Sequence, residues 1–256
     1  MVDVKPGCEP WSCDGTGANA DIGVLLLHGF TGSPASMRPL AHDLAARGFA
    51  VELPLLSGHG THIQNVMNTT WQDLARDTVT AFERLRGRTS RHIVLGMSVG
   101  AAMGTRLAQT RSADVAGLVL INPYLGTDHP LGKLLPLLRF VLPTYKGVIN
   151  DIAKPDMDEL GYDRLPVRAL HSISLMQRDV IAALPSMTVP TLLMTSREDH
   201  VTGTFSARLI DEKIGANDFE HVWLERSYHV ATLDHDYPII LEESAKFVER
   251  VGHAAR

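Results

Sequence analysis

Runs of consecutive apolar residues, each about the length of one strand, recur along the chain from residue 22. Such runs indicate strands that are covered on both faces, as in parallel sheets. The predicted strands are residues 22–27, 49–53, 92–97, 116–121, 191–195 and 221–224. Between them, apolar residues at helical spacing predict helices over 36–46, 70–86, 98 to about 110, and from about 238 to the end of the last apolar pattern near 251.

The alternation of strands and helices predicts an α/β fold with a mainly parallel central sheet flanked by helices. Ligands bind at the carboxyl edge of such sheets. One interval breaks the alternation, because residues 124–189 lie between Pro123 and Pro190 and one helical crossover needs only about 12 to 20 residues. We therefore expect a single domain, 1–256, in which about residues 124–188 contain a short cap inserted over the carboxyl edge.

The segment Gly96-Met97-Ser98-Val99-Gly100 has the pattern G-x-S-x-G between a predicted strand and a predicted helix. In that context the pattern indicates a tight turn that holds a nucleophilic serine above the sheet edge. Side chains at the two glycine positions would collide with this turn. The start of the helix also favours a developing negative charge. Ser98 is the predicted nucleophile.

A serine hydroxyl needs a base to become nucleophilic at neutral pH, and an acid holds that base. In α/β proteins with this turn, the base comes last in the chain, in a loop after the final strand. This position selects His229. His235 is the nearest competitor but lies where the last helix is expected to begin, and His221 is expected to begin a strand.

The acid is expected directly after the preceding strand, in the loop that follows residue 195. Both Glu198 and Asp199 lie in this loop, and spacing alone leaves both open. A shorter side chain suits a tight loop, which favours Asp199. Glu198 would then be a solvated carboxylate, and His200 would be a neighbour rather than the base.

Acyl transfer also needs N–H groups that stabilise the oxyanion of the tetrahedral intermediate. One is expected from the backbone of Val99, directly after the nucleophile, and the other from the loop that leaves an early strand. That loop follows the strand 22–27, so Phe30 would donate the second N–H while Gly29 allows the turn. We expect His28 to hydrogen-bond the loop and to play no part in proton transfer.

Together these segments resemble the α/β-hydrolases, and more narrowly the small bacterial carboxylesterases and monoacylglycerol lipases of Bacillus type. The resemblance runs from about residue 23 to residue 248. It is carried by HGFTG at 28–32, GHGTH at 58–62, GMSVG at 96–100, EDHV at 198–201 and SYHVATLD at 227–234.

The resemblance implies a catalytic triad of Ser98, Asp199 and His229, and so it favours the aspartate over its neighbour. It implies oxyanion N–H groups from Phe30 and Val99.

In the monoacylglycerol lipases a glutamate of the cap contacts the glycerol hydroxyls. The resemblance aligns Glu159 with that residue. The alternative for Glu159 is a solvated helix carboxylate.

Composition and charge limit the remaining classes of function. With 24 Lys and Arg against 29 Asp and Glu, the chain lacks the basic excess of a nucleic-acid-binding protein. The start of the chain has no signal-peptide pattern, and its longest apolar stretch, 131–143, is shorter than the roughly 20 residues of a membrane-spanning helix. We expect a cytoplasmic protein with Cys8 and Cys13 reduced, a disulfide between them being the alternative.

No metal and no cofactor is expected. His59 and His62 have the spacing of a metal-binding pair, but no carboxylate or cysteine partner is evident near them. A role in bracing the loop is the favoured interpretation. The glycines at 15 and 17 lack the strand and helix that flank a nucleotide-binding loop.

The predicted activity is therefore hydrolysis of a carboxylic ester through an acyl-enzyme, with a small lipid or ester as substrate and monoacylglycerol preferred. Alternatives are a carboxylesterase for short- to medium-chain esters, acyl transfer, peroxide formation or C–C bond hydrolysis on the same residues, and a receptor with an unused hydrolase site. Apolar residues of the cap, within 134–141, would line an acyl pocket; the alternative is a patch that docks transiently on micelles or membranes.

Overall fold

The computed structural model describes residues 3–127 and 130–254, and its central feature is a seven-stranded sheet. The strands, in chain order, are β1 (Trp11–Cys13), β2 (Ile22–Leu27), β3 (Ala50–Leu53), β4 (Arg91–Met97), β5 (Gly117–Ile121), β6 (Thr144–Lys146), β7 (Arg164–Pro166), β8 (Thr191–Ser196) and β9 (Phe219–Leu224). The order across the sheet is β1-β3-β2-β4-β5-β8-β9, while β6 and β7 form a separate antiparallel pair.

All neighbours in the main sheet are parallel except β1, which pairs antiparallel with β3. This confirms the predicted mainly parallel sheet and each of its predicted strands. The apolar pattern did not indicate β1, because this strand is three residues long and is only partly buried. Residues 11–13 form a strand because they pair with β3 at the sheet edge, and their own sequence has no strand pattern.

The helices are α1 (Arg38–Ala46), α2 (Ile63–Val66), α3 (Trp71–Arg86), α4 (Val99–Thr110), α5 (Pro130–Val141), α6 (Val167–Ala183), α7 (Phe205–Lys213) and α8 (Tyr237–His253). Those at α1, α3, α4 and α8 were predicted. The first of them begins two residues later than expected, because residues 34–36 form a 3₁₀ turn in which the Ser33 hydroxyl accepts from the N–H of Ala35. Thr70 and Asp73 form a reciprocal capping box at the start of α3.

The core consists of two apolar layers, one on each face of the sheet. Alternate residues of a strand point to opposite faces. In β2, Leu25 and Leu27 pack in the layer that contains residues of α3, α4 and α6, whereas Val24 and Leu26 pack in the layer that contains residues of α1 and α8. Burial on both faces explains why the inner strands are apolar without alternation.

The insertion (residues 124–188) joins β5 to β8 and contains α5, the β6–β7 pair and α6. Helix α6 belongs to the core, because Ile173, Met176 and Val180 are buried in the same layer as α3 and α4. The β6–β7 loop (residues 147–163) instead approaches the carboxyl edge of the sheet: the backbone N–H of Tyr162 donates to the carbonyl of Thr31 beyond β2, at 2.8 Å. Only part of the insertion is therefore available to cover that edge.

Apolar side chains of α5 face outward rather than into a closed pocket. Leu137, Phe140 and Val141 are 69%, 70% and 78% exposed. This exposure differs from the expectation that they line an acyl pocket and agrees with the alternative of an outward-facing patch. Within the part of the chain that is described, no helix is long and apolar enough to cross a membrane.

The start of α4 lies against the end of β2 with almost no space between the two backbones. A Cβ atom on Gly100 would overlap the carbonyl oxygen of Leu27, and one on Gly96 would overlap the carbonyl oxygen of Gly100. Both overlaps are with backbone, which cannot rotate away. The structure thus bears out the expectation that these two positions exclude side chains.

We expect the substitution Gly100→Ala to lower the free energy of unfolding by at least about 2 kcal/mol, because overpacking against fixed backbone separates β2 from α4. Gly87→Ala is the matched control. This exposed glycine follows α3, and an added Cβ there meets its nearest atom, the carbonyl oxygen of Arg84, at 3.5 Å. Urea unfolding monitored by circular dichroism should find Gly87→Ala within about 0.5 kcal/mol of the wild type. Equal stability of the two variants would contradict the steric argument.

Candidate active site

Ser98 occupies a strained turn between β4 and α4. Its φ of 56° and ψ of −120° lie in a region that residues with side chains rarely adopt. The turn is held from both sides: the Ser98 N–H donates to the carbonyl of Ile121 at 3.0 Å, and its carbonyl accepts from the N–H of Tyr124 at 3.0 Å. The side chain is thereby fixed at the carboxyl edge of the sheet, at the start of a helix, as the sequence predicts.

The loop after β2 runs directly beside Ser98. A Cβ atom on Gly29 would lie only 3.2 Å from the Cβ of Ser98. The Val99 N–H is at the first position of α4 and so has no partner within the helix. No described residue accepts a hydrogen bond from the Phe30 N–H either. The two N–H groups predicted for the oxyanion hole are thus free to bind a ligand.

His59 holds the loop that carries Phe30. Its Nε2 accepts from the backbone N–H of Thr31 at 3.1 Å, and its Nδ1 lies 2.9 Å from the carbonyl of Ser57. Because a carbonyl can only accept and an N–H can only donate, the ring must be neutral with its proton on Nδ1. This agrees with the predicted bracing role. No cluster of three or more potential metal-ligating side chains occurs among residues 3–127 and 130–254.

His28, which is also buried, makes the same pattern of bonds as His59. Its Nδ1 lies 2.9 Å from the carbonyl of Gly29, and its Nε2 accepts from the N–H of Leu56 at 3.2 Å. Complete burial lowers the pKa of His28 to about 3 and that of His59 to about 4, since the charged rings would be desolvated. Both imidazoles therefore stay neutral at physiological pH and act as fixed hydrogen-bonding groups.

Asp199 and His229, predicted as acid and base, lie together at the ends of β8 and β9. The Asp199 Oδ2 is 2.8 Å from the His229 Nδ1, and both side chains are buried. Asp199 also accepts hydrogen bonds from the N–H groups of Val201 and Thr202 and from the Thr202 hydroxyl. The proton on Nδ1 leaves Nε2 as the basic nitrogen of the neutral ring.

The other acid and base candidates lie elsewhere. Glu198 is 65% exposed, and its Oε1 lies 3.3 Å from the Nε2 of His200. His221 is bound by Asp211 on α7. His235 lies just before α8, and its N–H donates to a neighbouring carboxylate.

The pKa values of the buried pair shift in opposite directions. Burial alone would raise the pKa of Asp199, but the adjacent His229 and the hydrogen bonds from Thr202 outweigh it, so this pKa is lowered. Burial alone would lower the pKa of His229. The negative charges of Asp199, Glu159 and Asp151 outweigh it, and the pKa of His229 is raised. Asp199 is therefore charged when His229 loses its proton to become a base.

No hydrogen bond joins Ser98 to His229 among the described residues, but their supporting segments are in contact. The Thr232 hydroxyl, beyond His229 in the chain, lies 3.4 Å from the sulfur of Met97. Catalytic hydrogen bonds in ligand-free enzymes often form only when substrate binds.

Asn122 is a site residue that the sequence patterns did not indicate. It follows β5 with a left-handed φ of 42°, and its Nδ2 donates to the carbonyl of His229 at 2.8 Å. Its Oδ1 accepts from the N–H of Ser196 at 2.7 Å. Asn122 therefore ties the loop of the base to the ends of β5 and β8. Its position directly after a predicted strand at the carboxyl edge is the signal that could have found it.

Glu159 lies in the β6–β7 loop and faces the same site. Its Oε1 accepts from the N–H of Asn150 at 3.0 Å, and its own N–H donates to the Asn150 Oδ1 at 2.9 Å. Its Oε2 receives no hydrogen bond from a described residue and lies 3.3 Å from where a Cβ on Gly32 would be. Burial raises the pKa of Glu159, while the N–H of Asn150 and the nearby His229 oppose that rise.

The neutral state of His59 predicts a specific loss of stability in acid. The pKa of His59 is about 4 in the folded protein and about 6.5 when unfolded, so the unfolded chain binds its proton first. The contribution of neutral His59 to the free energy of unfolding is therefore complete above pH 6.5 and is lost as the pH falls towards 4. When the pH falls from 7 to 5, the free energy of unfolding of the wild type should fall by about 2 kcal/mol more than that of His59→Gln.

Urea titrations at the two pH values measure this difference. The glutamine amide oxygen can still accept from Thr31. The control is His62→Gln, an exposed histidine of the same segment, which should keep the wild-type dependence on pH. A loss in His59→Gln as large as in the wild type would show that His59 does not stay neutral.

Comparisons with known proteins identify the family of the chain. The family described as serine aminopeptidase, S33, matches residues 18–236. The chain is 37% identical to the thermostable monoacylglycerol lipase of Bacillus sp. (strain H-257) over 95% of both chains, and 26% identical to a carboxylesterase of Bacillus subtilis (strain 168) over 90% of this chain and 94% of that one.

A solved structure reported for LipS and LipT, two metagenome-derived lipolytic enzymes, superposes with a TM-score of 0.90. It is 37% identical in sequence and covers 97% of this chain and 100% of its own. The chain therefore has the α/β-hydrolase fold and belongs to the family described as serine aminopeptidase, S33.

Proposed function

We propose that the protein hydrolyses carboxylic esters through an acyl-enzyme on Ser98, and that monoacylglycerols are its preferred substrates. The observation that carries the proposal is the buried contact of 2.8 Å between Asp199 and His229, together with a strained serine at the start of α4. A buried carboxylate that orients a histidine is the arrangement that activates a serine hydroxyl. The lipase and carboxylesterase names of the relatives support ester substrates.

In this mechanism the Ser98 oxygen attacks the ester carbonyl while the His229 Nε2 takes its proton. The N–H groups of Phe30 and Val99 bind the oxyanion that forms. The intermediate collapses as the bond to the alcohol breaks, and the imidazolium gives the proton to the leaving oxygen. Water then attacks the acyl-enzyme and loses a proton to His229, which returns that proton to the Ser98 oxygen as its bond to the acyl group breaks and the acid leaves. Asp199 stabilises the imidazolium at each step.

Two features support monoacylglycerol over a simple ester. The thermostable lipase named above is similar along almost the whole chain. The Oε2 of Glu159 accepts no hydrogen bond from a described residue, and the charge of Glu159 acts on His229, so this oxygen could accept hydrogen bonds from the free hydroxyls of glycerol. The carboxylesterase relative keeps short- to medium-chain esters as the alternative substrates.

The exposed apolar face of α5 supports transient contact with a lipid surface. This face of α5 includes Leu137, Phe140 and Val141. After the helix, two further apolar residues are more than half exposed, Tyr145 in β6 and Val148 in the β6–β7 loop. Apolar side chains grouped on a surface are a feature of proteins that bind micelles or membranes. Such contact would bring the site close to aggregated substrate.

Ser98→Ala and His229→Ala should each lower kcat for ester hydrolysis by at least about 10⁴-fold, because each removes an essential partner in proton transfer. Release of fatty acid from monoacylglycerols measures the effect, with p-nitrophenyl esters and amino-acid p-nitroanilides as comparison substrates. A fluorophosphonate probe should label the wild type and not Ser98→Ala. Near-normal turnover in either variant would reject the mechanism, and absence of labelling in the wild type would favour a non-catalytic receptor.

The acid is tested separately by comparing Asp199→Asn with Glu198→Gln. Asp199 is buried against His229, so its variant should lose about 10³- to 10⁴-fold in kcat through the wrong imidazole tautomer. Glu198 is exposed, and its variant should stay within about 2-fold of the wild type. The opposite ranking would assign the role of the acid to Glu198.

Glu159→Gln should lower kcat/KM for monoacylglycerol relative to a fatty acid methyl ester by about 10- to 100-fold, the value of a hydrogen bond to a charged group. It should also move the acid limb of the pH–rate profile to lower pH. The negative charge of Glu159 helps to raise the pKa of His229, which must be neutral to act. The matched control is Asp158→Asn, an exposed neighbouring carboxylate. An unchanged substrate ratio would reject the role in glycerol binding.

A further inference from the structure

Asp151, in the β6–β7 loop, is a buried carboxylate to which the mechanism above gives no role. Its Oδ2 accepts from the backbone N–H of His229 at 3.1 Å and from that of His200, also at 3.1 Å. Its Oδ1 lies 2.7 Å from the Nδ1 of His200. Its own carbonyl accepts from the N–H of Val230 at 3.0 Å. One residue of the insertion thus binds two loops that come from different strands.

These two loops carry the acid and the base. His229 is the proposed base itself, and His200 directly follows the proposed acid, Asp199. The distance between the Asp199 and His229 side chains therefore depends on how the backbones of the two loops are held, and one oxygen of Asp151 binds both backbones. A displacement of either loop by about 1 Å would change the geometry of proton transfer.

A second buried carboxylate, Asp234, also attaches the insertion through backbone N–H groups. Asp234 lies in the loop that carries His229 and joins that loop to the insertion, because its Oδ2 accepts from the N–H groups of Ala153 and Tyr228 and its Oδ1 accepts from that of Lys154. It makes no contact with His229 or with the loop of Asp199 among the hydrogen bonds of the described chain. Asp234 is therefore a matched control for burial and for attachment of the insertion.

The carboxylates that raise the pKa of His229 come from two parts of the chain. Asp199 contacts the ring, while Glu159 and Asp151 act on it from the β6–β7 loop. His200 faces Asp151 on one side and Glu198 on the other, with the ring of Tyr228 centred 4.6 Å away. The contact with Asp151 raises the pKa of His200, and Glu198 adds to that rise.

We propose that Asp151 is a positioning residue, which fixes His229 relative to Asp199 and makes the catalytic geometry depend on the insertion between β5 and β8. The proposal rests on the proposed function. Asp151 touches neither the ester nor the reacting atoms, and it acts through the two loops that it binds.

Asp151→Asn and Asp151→Glu separate geometry from charge. Asp151→Asn should lower kcat by about 10- to 100-fold with KM within about 3-fold, since one acceptor becomes a donor and the loops shift. It should also move the acid limb of the pH–rate profile to lower pH, because a negative charge near His229 is gone. Asp151→Glu should lower kcat through its longer side chain but keep the wild-type acid limb.

Asp234→Asn is measured beside them and should lower the thermal midpoint with kcat and the acid limb unchanged. Rates of labelling by the fluorophosphonate probe should follow kcat, which makes the result independent of substrate binding. If the wild type hydrolyses esters and Asp151→Asn has the same kcat and the same acid limb, the positioning role is overturned and the proposed function stands. Lack of esterase activity in the wild type would instead overturn the proposed function. Failure of both Asp151 variants to fold at 15 °C, with Asp234→Asn folded, would leave Asp151 a structural residue and reject the proposal.

Discussion

The site depends on one steric constraint, the direct contact between the start of α4 and the end of β2. Gly96 and Gly100 allow these backbones to meet, and the turn between them forces Ser98 to a φ of 56°. The same contact brings the loop after β2 so close to the serine that a Cβ added to Gly29 would lie 3.2 Å from the Cβ of Ser98. A single close approach therefore presents the hydroxyl beside the loop that carries Phe30, one of the two proposed donors to the oxyanion.

Loops packed this tightly must satisfy their buried backbone groups without a sheet or a helix. Here side chains supply the missing partners. His59 accepts from Thr31 in the loop after β2, Asn122 donates to the carbonyl of His229, and Asp151 accepts from the N–H of His229. Each of these is a single polar side chain that fixes irregular backbone at the carboxyl edge. These bonds add to apolar packing in holding this edge in place.

Sequence patterns predicted the inner strands, the G-x-S-x-G turn and His229, because each has a local signal or a fixed place relative to a strand. Spacing left Glu198 and Asp199 both open as the acid, and the family resemblance favoured Asp199. The sequence patterns did not predict β1, whose strand character depends on pairing with β3. They also missed Asn122, although its place directly after a predicted strand was a usable signal, and Asp151, which gains meaning only from partners far along the chain. The outward side chains of α5 could not be distinguished from a pocket lining, because an apolar residue carries no information about which surface it faces.

The insertion contributes to the electrostatics of His229. Burial opposes the imidazolium, and Asp199 with its neighbouring carboxylates more than reverses this, so the charged ring that forms during proton transfer is stabilised. Glu159 and Asp151 both come from the β6–β7 loop, so part of this stabilisation is supplied by the insertion and not by the sheet. A carboxylate near the base also raises the pH at which the ring becomes neutral. Sequence changes in this loop can thus alter the working pH of the enzyme while Ser98, Asp199 and the proposed oxyanion N–H groups stay unchanged.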